Sequence, residues 1–141
     1  MKPKYWNKGI KYLSNKDKVL KKLISSYPKE HLSLNSNYFH SLINSIIGQQ
    51  ISVSAADSMK KKFFNLNRNI TPNIVLKFKT TELRQCGLSR QKILYIKNIA
   101  NYFNNNKKFI KNIISSSEEE ISSKLIEIKG VGPWTIHMFL M

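Results

Sequence analysis

Apolar residues recur along this chain at intervals of three and four, the spacing that lines one face of an α-helix. The first stripe is Val19, Leu20, Leu23 and Ile24, with Asn15 as the expected cap and Tyr27-Pro28 as the expected end. The second is Phe39, Leu42, Ile43, Ile46 and Ile47, opened by Ser36 and closed by Gly48. Ser52 caps a third that carries Val53, Ala56, Met59, Phe63 and Phe64. Thr71-Pro72 sets a capping side chain before a proline at the first helical position, which predicts a short helix through Phe78. Another helix starts at Thr80 or Thr81 and stops at Gly87. Ser89 then caps a longer one with Ile93, Ile96, Ile99, Ala100 and Phe103 facing inward. Asn104-Asn105-Asn106 interrupts the pattern, and a loosely helical stretch runs from Lys107 to Ile114. Ser117-Glu118-Glu119-Glu120 has the form of a capping box, with acids where the helix dipole favours them. That helix carries Ile121, Leu125 and Ile128 and is expected to stop at Lys129-Gly130-Val131-Gly132, where Pro133 opens the next. No alternating strand pattern of useful length and no internal repeat interrupts this, so the expected class is all-α.

Length and composition narrow the picture. With 141 residues, one domain spanning 1–141 is expected, large enough to fold without a disulfide or a metal. The final segment, Trp134 to Met141, is apolar and still helical in pattern at the last residue, which reads as a break in the middle of an element. No apolar run approaches the roughly 18 residues that a membrane span needs. The basic N-terminus, Met1 to Trp6, has no apolar stretch behind it and so does not resemble a secretory signal. A single cysteine, Cys86, excludes an internal disulfide and any four-cysteine zinc or iron–sulfur site, and a reducing cytoplasm is the expected compartment. The net charge of +16 suggests a polyanionic partner. Its weight is reduced by the 21 lysines against three arginines, with 15 asparagines and 18 isoleucines, as AT-rich coding sequence would produce.

Three segments carry candidate chemistry. Lys129-Gly130-Val131-Gly132-Pro133 joins two helices by a tight turn. Its glycines permit left-handed or closely approached backbone, and the amides of the following helix could receive a phosphate. The same turn also fits a helix pair inside a bundle. Ile47-Gly48-Gln49-Gln50-Ile51-Ser52 places two uncharged polar side chains at a sharp turn before a serine cap, which by itself is compatible with a solvated loop. Cys86-Gly87-Leu88-Ser89-Arg90-Gln91-Lys92 is a glycine stop followed by a serine-capped restart, where the cysteine fits a small core position better than a nucleophile. No paired carboxylates, metal-spaced His/Cys cluster or Ser-His-Asp set is evident. His31, His40 and His137 are scattered, and His137 suits packing or capping better than catalysis.

Together these segments resemble the helix-hairpin-helix DNA glycosylase superfamily, specifically its short DNA-3-methyladenine glycosylase II group. The resemblance rests on Tyr5-Trp6 with Leu13 and Asp17, on Ile47 to Ser52, on Gly87-Leu88-Ser89 with Lys92, and on Gly130-Val131-Gly132-Pro133-Trp134-Thr135. It covers almost the whole chain and implies a helix-hairpin-helix glycosylase fold that is incomplete at its C-terminus, with residues 118–141 as the hairpin motif. It also implies base-excision repair: a monofunctional enzyme that everts an alkylated base from duplex DNA and hydrolyses its N-glycosidic bond. By this resemblance Gly130, Val131, Gly132 and Thr135 bind DNA at the hairpin, and Gln50 and Ser52 bind it at the other turn. Gln50 would enter the gap left by the everted base, while Trp134 and Met138 line the base pocket. Tryptophan stands where strand-cutting relatives carry a Schiff-base lysine, which implies attack by water. No cofactor is implied beyond a monovalent cation on the hairpin carbonyls, and no metal site. The implied partner is double-stranded DNA containing alkylated bases, bound by a monomer and not at a membrane, in the nucleoid if the source is bacterial. The family's catalytic aspartate falls beyond Met141, and none of Asp17, Asp57 or Glu127 matches it, so no catalytic residue is expected within the chain. The alternative is a non-catalytic helix-hairpin-helix DNA-binding module.

Overall fold

The computed structural model describes residues 2–32 and 37–141, and among these every regular element is helical. The chain divides into two compact units, Met1–Ser36 and Asn37–Met141.

In the first unit, helices α1 (Trp6–Lys16) and α2 (Lys18–Ser26) pack against each other. Asn15 does not cap α2, because α1 continues through it. Asp17 breaks the run with an extended backbone and caps α2, its carboxylate accepting from the amides of Val19 at 2.7 Å and Leu20 at 2.9 Å. A carboxylate at this position satisfies two orphan amides and suits the positive end of the dipole. The expected stripe on α2 is only partly covered: Leu20 and Ile24 are half-buried, whereas Val19 and Leu23 are exposed.

The second unit contains α3 (Tyr38–Gly48), α4 (Val53–Phe64), α5 (Pro72–Lys77), α6 (Thr80–Gln85), α7 (Arg90–Asn105), α8 (Lys107–Asn112), a 3-10 turn (Ile113–Ser115), α9 (Glu118–Leu125) and α10 (Pro133–Leu140). The Ser36 cap expected for α3 lies outside the described residues; the Asn37 side chain accepts from the His40 amide at 3.0 Å. Ser52, Thr71, Ser89 and Ser117 cap the helices assigned to them. At α9, Ser117 receives the Glu120 amide, and hydrogen bonds from the Glu119 amide and the Ser117 hydroxyl hold the Glu119 carboxyl below the usual carboxylate range. On α4 the inward face is narrower than expected: Ala56 and Phe63 are buried, but Val53 is 79% exposed.

The core runs along α7. Its stripe Ile93, Ile96, Ile99, Ala100 and Phe103 is buried against Leu42, Ile43, Ile46 and Ile47 of α3 and Val75 of α5. Cys86 is part of this core, and burial pushes its thiol above the usual range. Lysines on either side of that stripe tie down neighbouring helix ends: Lys97 Nζ donates to the Phe78 carbonyl after α5 at 3.0 Å, and Lys92 Nζ to the Ile47 carbonyl of α3 at 2.8 Å. Cations at helix C-termini satisfy orphan carbonyls and meet the negative end of the dipole. One long helix thus fixes where the α3 turn ends.

Candidate functional site

The turn after α3 is strained. Gly48 closes the helix without needing a glycine conformation, and Gln49 is extended. The left-handed residue is Gln50, with φ 57°, the sole non-glycine with positive φ among the described residues. An L-residue there costs on the order of 1–2 kcal/mol, so the surrounding structure must hold it. Gln49 supplies one restraint: its Nε2 lies 3.2 Å from Oγ1 of Thr135, a side chain only 1% exposed. Lys92 supplies another through Ile47, and burial lowers its ammonium pKa below the ordinary lysine range.

The hairpin is longer than the sequence suggested. α9 ends at Leu125, and seven residues, 126–132, connect it to α10. Ile128 and Val131 point into the core and anchor this connection, so helical periodicity on Ile128 comes from a turn rather than from helix. The Val131 amide donates to the Ile128 carbonyl at 2.9 Å, and Asn98 Nδ2 of α7 to the Lys129 carbonyl at 3.1 Å. Gly130 has φ 108°, and a Cβ there would overlap the Tyr95 ring, with Tyr95 Cβ itself at 2.7 Å. Gly132 is different. Its φ of −103° suits any residue, and a Cβ would meet open space. Nothing within the described structure therefore requires glycine at 132, while an external group approaching the backbone would. The amides of Gly132 and Trp134 have no protein partner among the described residues, and they lie at the positive end of α10.

The two turns face each other across a cleft of about 790 Å³, with the cap Ser89 and Gln91, Lys92 and Tyr95 of α7 between them. Gln50, Gly130, Val131, Gly132, Trp134 and Thr135 all line it. Trp134 is 60% exposed, an unusual position for a large indole at a cleft. Met138, one turn along α10, is 43% exposed but is not among the cleft-lining residues. Ser52 also lies off the cleft wall; it is exposed and occupied as the α4 cap, accepting from the Ala55 amide. Thr135 and Val131 belong to the cleft wall but are almost fully buried. Sequence reasoning passed over Gln49 and Tyr95, whose partners Thr135 and Gly130 lie far along the chain. Only the doubling of glutamine and the Gln91–Tyr95 spacing, bridged at 2.6 Å from Nε2 to the phenol oxygen, gave any local signal.

The arrangement offers an anion two free amides, a flat aromatic face beside them, and an uncharged polar side chain projecting from the opposite wall. Lys92 is the sole ionisable ammonium on the wall, and no carboxylate lines it. No cluster of His, Cys, Asp or Glu among the described residues could hold a metal ion.

Comparison with known proteins places this cleft in context. The chain is 31% identical to a DNA-3-methyladenine glycosylase of Saccharomyces cerevisiae, over 96% of this chain and 52% of that protein. It is 28% identical to DNA-3-methyladenine glycosylase 1 of Schizosaccharomyces pombe, over 88% of this chain and 56% of the relative. The chain therefore spans about half the length of these curated relatives. The solved structure of the fission-yeast 3-methyladenine DNA glycosylase Mag1, in complex with abasic DNA, superposes with a TM-score of 0.80 at 27% identity, covering 94% of this chain and 68% of that one. Residues 43–130, from the middle of α3 to Gly130 of the hairpin, match the family described as HhH-GPD superfamily base excision DNA repair protein, and the chain belongs to that family.

Proposed function

We propose that this chain is the lesion-recognition part of a monofunctional DNA glycosylase for alkylated bases of the 3-methyladenine type. The observation that carries the reading is the cleft: a strained Gln50 on one wall, and on the other an unobstructed Gly132, unpaired amides and an exposed Trp134. In this reading the hairpin receives a backbone phosphate of double-stranded DNA. Gln50 fills the gap in the stack, and the Trp134 indole faces the everted base. An alkylated base carries positive charge, and its attraction to an indole face is worth roughly 1–2 kcal/mol in a dry site. Each copy carries both walls of the cleft and acts as a monomer, and the lone buried thiol suits a reducing, DNA-containing compartment such as the cytoplasm.

Water attack at the sugar requires a carboxylate to stabilise positive charge on the ring. The absence of any carboxylate from the cleft wall favours a second reading for the 141-residue polypeptide taken alone, a DNA-binding module without turnover. One experiment addresses both. Incubated with methylated duplex, the chain is expected to release no free 3-methyladenine while still binding a duplex that contains an abasic analogue. Measurable release would overturn the non-catalytic reading. Failure to bind any duplex at low salt would overturn the DNA assignment itself.

A further inference from the structure

We propose that Gln49 and Thr135 form a positioning pair that sets the Gln50 side chain at a fixed separation from the Gly130–Gly132 hairpin. The inference rests on the reading that Gln50 occupies the gap left by an everted base, and it concerns what aims that side chain.

Gln50 cannot aim itself. It is exposed, and its left-handed backbone is one that an unsupported turn would leave. The flanking residues hold it instead. On its N-terminal side Gln49 reaches across 86 positions of sequence to Thr135, in the first turn of α10 and three residues past Gly132. Thr135 is almost fully buried, so its hydroxyl has Gln49 where water would otherwise serve. Two residues before Gln49, the Ile47 carbonyl is gripped by Lys92 of α7. Three residues along α7, Tyr95 sits beneath Gly130.

These contacts close a ring: the end of α3, Gln49, Thr135, the start of α10, the hairpin, Tyr95, Lys92 and back to α3. Each of the two turns is thereby referenced to the other by side chains that need not touch DNA. If the Gln49–Thr135 link is cut, the turns are still joined through Lys92, Tyr95 and the packing of α3 on α10, but the direct tie beside Gln50 is gone and its side chain is less tightly aimed at the hairpin.

The test uses the full chain and two labelled duplexes, one carrying a tetrahydrofuran abasic analogue and the other intact. Gln49→Leu and Thr135→Val are each expected to lower the preference for the abasic over the intact duplex by about fivefold, and for Gln49→Leu the intact-duplex affinity should change less than twofold. The double variant should lose no more than either single one, because one link has been cut twice. Thr135→Val is close to isosteric and keeps the test valid if Gln49→Leu folds poorly. Equal loss on both duplexes, or additive losses in the double variant, would overturn the inference. Gln50→Ala separates this from the underlying reading. If Gln50→Ala abolishes the preference while the pair variants retain it, the positioning role fails alone. If Gln50→Ala retains it, the insertion reading fails and the inference with it.

Discussion

Gly130 and Gly132 look alike in the sequence, but the structure gives them different duties. Gly130 sits at φ 108° against the Tyr95 ring, so a β-carbon would meet both backbone strain and a packed aromatic. Gly130→Ala is expected to lower stability by about 2–3 kcal/mol, measured by urea unfolding. Gly132→Ala should leave stability within about 0.5 kcal/mol, since its backbone is ordinary and its surroundings are open. The same alanine should nevertheless weaken duplex binding several-fold by standing between the hairpin amides and a phosphate. If Gly132→Ala bound duplex as tightly as the parent chain, the hairpin would have another purpose. Trp134 shows the same separation: at 60% exposure it is not held by the core, and facing a base is the role the proposed function gives it.

Among the elements, α7 matters most, because it organises the turns on either side of it. Its inner stripe was legible as helical periodicity, and the Ser89 cap was legible as a serine after a glycine stop. What periodicity could not show is that Lys92, Tyr95, Lys97 and Asn98, outside the buried stripe, each hold the end or turn of another element. Ser89 accepts the Lys92 amide at 3.2 Å, so the cap also stiffens the turn from which Lys92 projects. Ser89→Ala is expected to cost about 1 kcal/mol of global stability. Amide hydrogen exchange should show α3 and α5 losing protection together with α7; loss confined to the first turn of α7 would show that the helix is less central. Two errors of expectation share one cause. Asn15 and Val53 fit their assigned roles by sequence distance alone, yet α1 runs through Asn15 and Val53 lies on an uncovered side.

For the whole molecule, the charge is diffuse. The two ion pairs found among the described residues, Lys60–Asp57 and Lys124–Glu127, are exposed and local, so most of the +16 excess is carried by lysines without an acidic partner. Such a surface attracts a polyanion broadly, while the cleft would decide where a particular nucleotide sits. Affinity for an intact duplex is therefore expected to fall steeply with salt. If the contact neutralises about four phosphates, the slope of log affinity against log salt is about −3.6. A slope near zero in a fluorescence titration would contradict an electrostatic contact. The preference for an abasic duplex should depend less on salt, because Gln50 and Trp134 are uncharged.

From α3 onward the helices, most of their caps, most of the buried stripes and the two turns worth attention were legible in the sequence, since each is written in residues at most a few positions apart; α1 (Trp6–Lys16) was not, because it buries no residue and so leaves no clear apolar stripe. A family resemblance also singled out Gln50, Gly130 to Gly132 and Trp134, which line one cleft in the structure. That the left-handed residue is Gln50 and not Gly48, that a Cβ at Gly130 would collide with Tyr95, and that Gln49 meets Thr135 emerges with packing alone. Those facts depend on side chains brought together from distant parts of the chain. No local spacing encodes them, because they exist only once α3, α7 and α10 have packed.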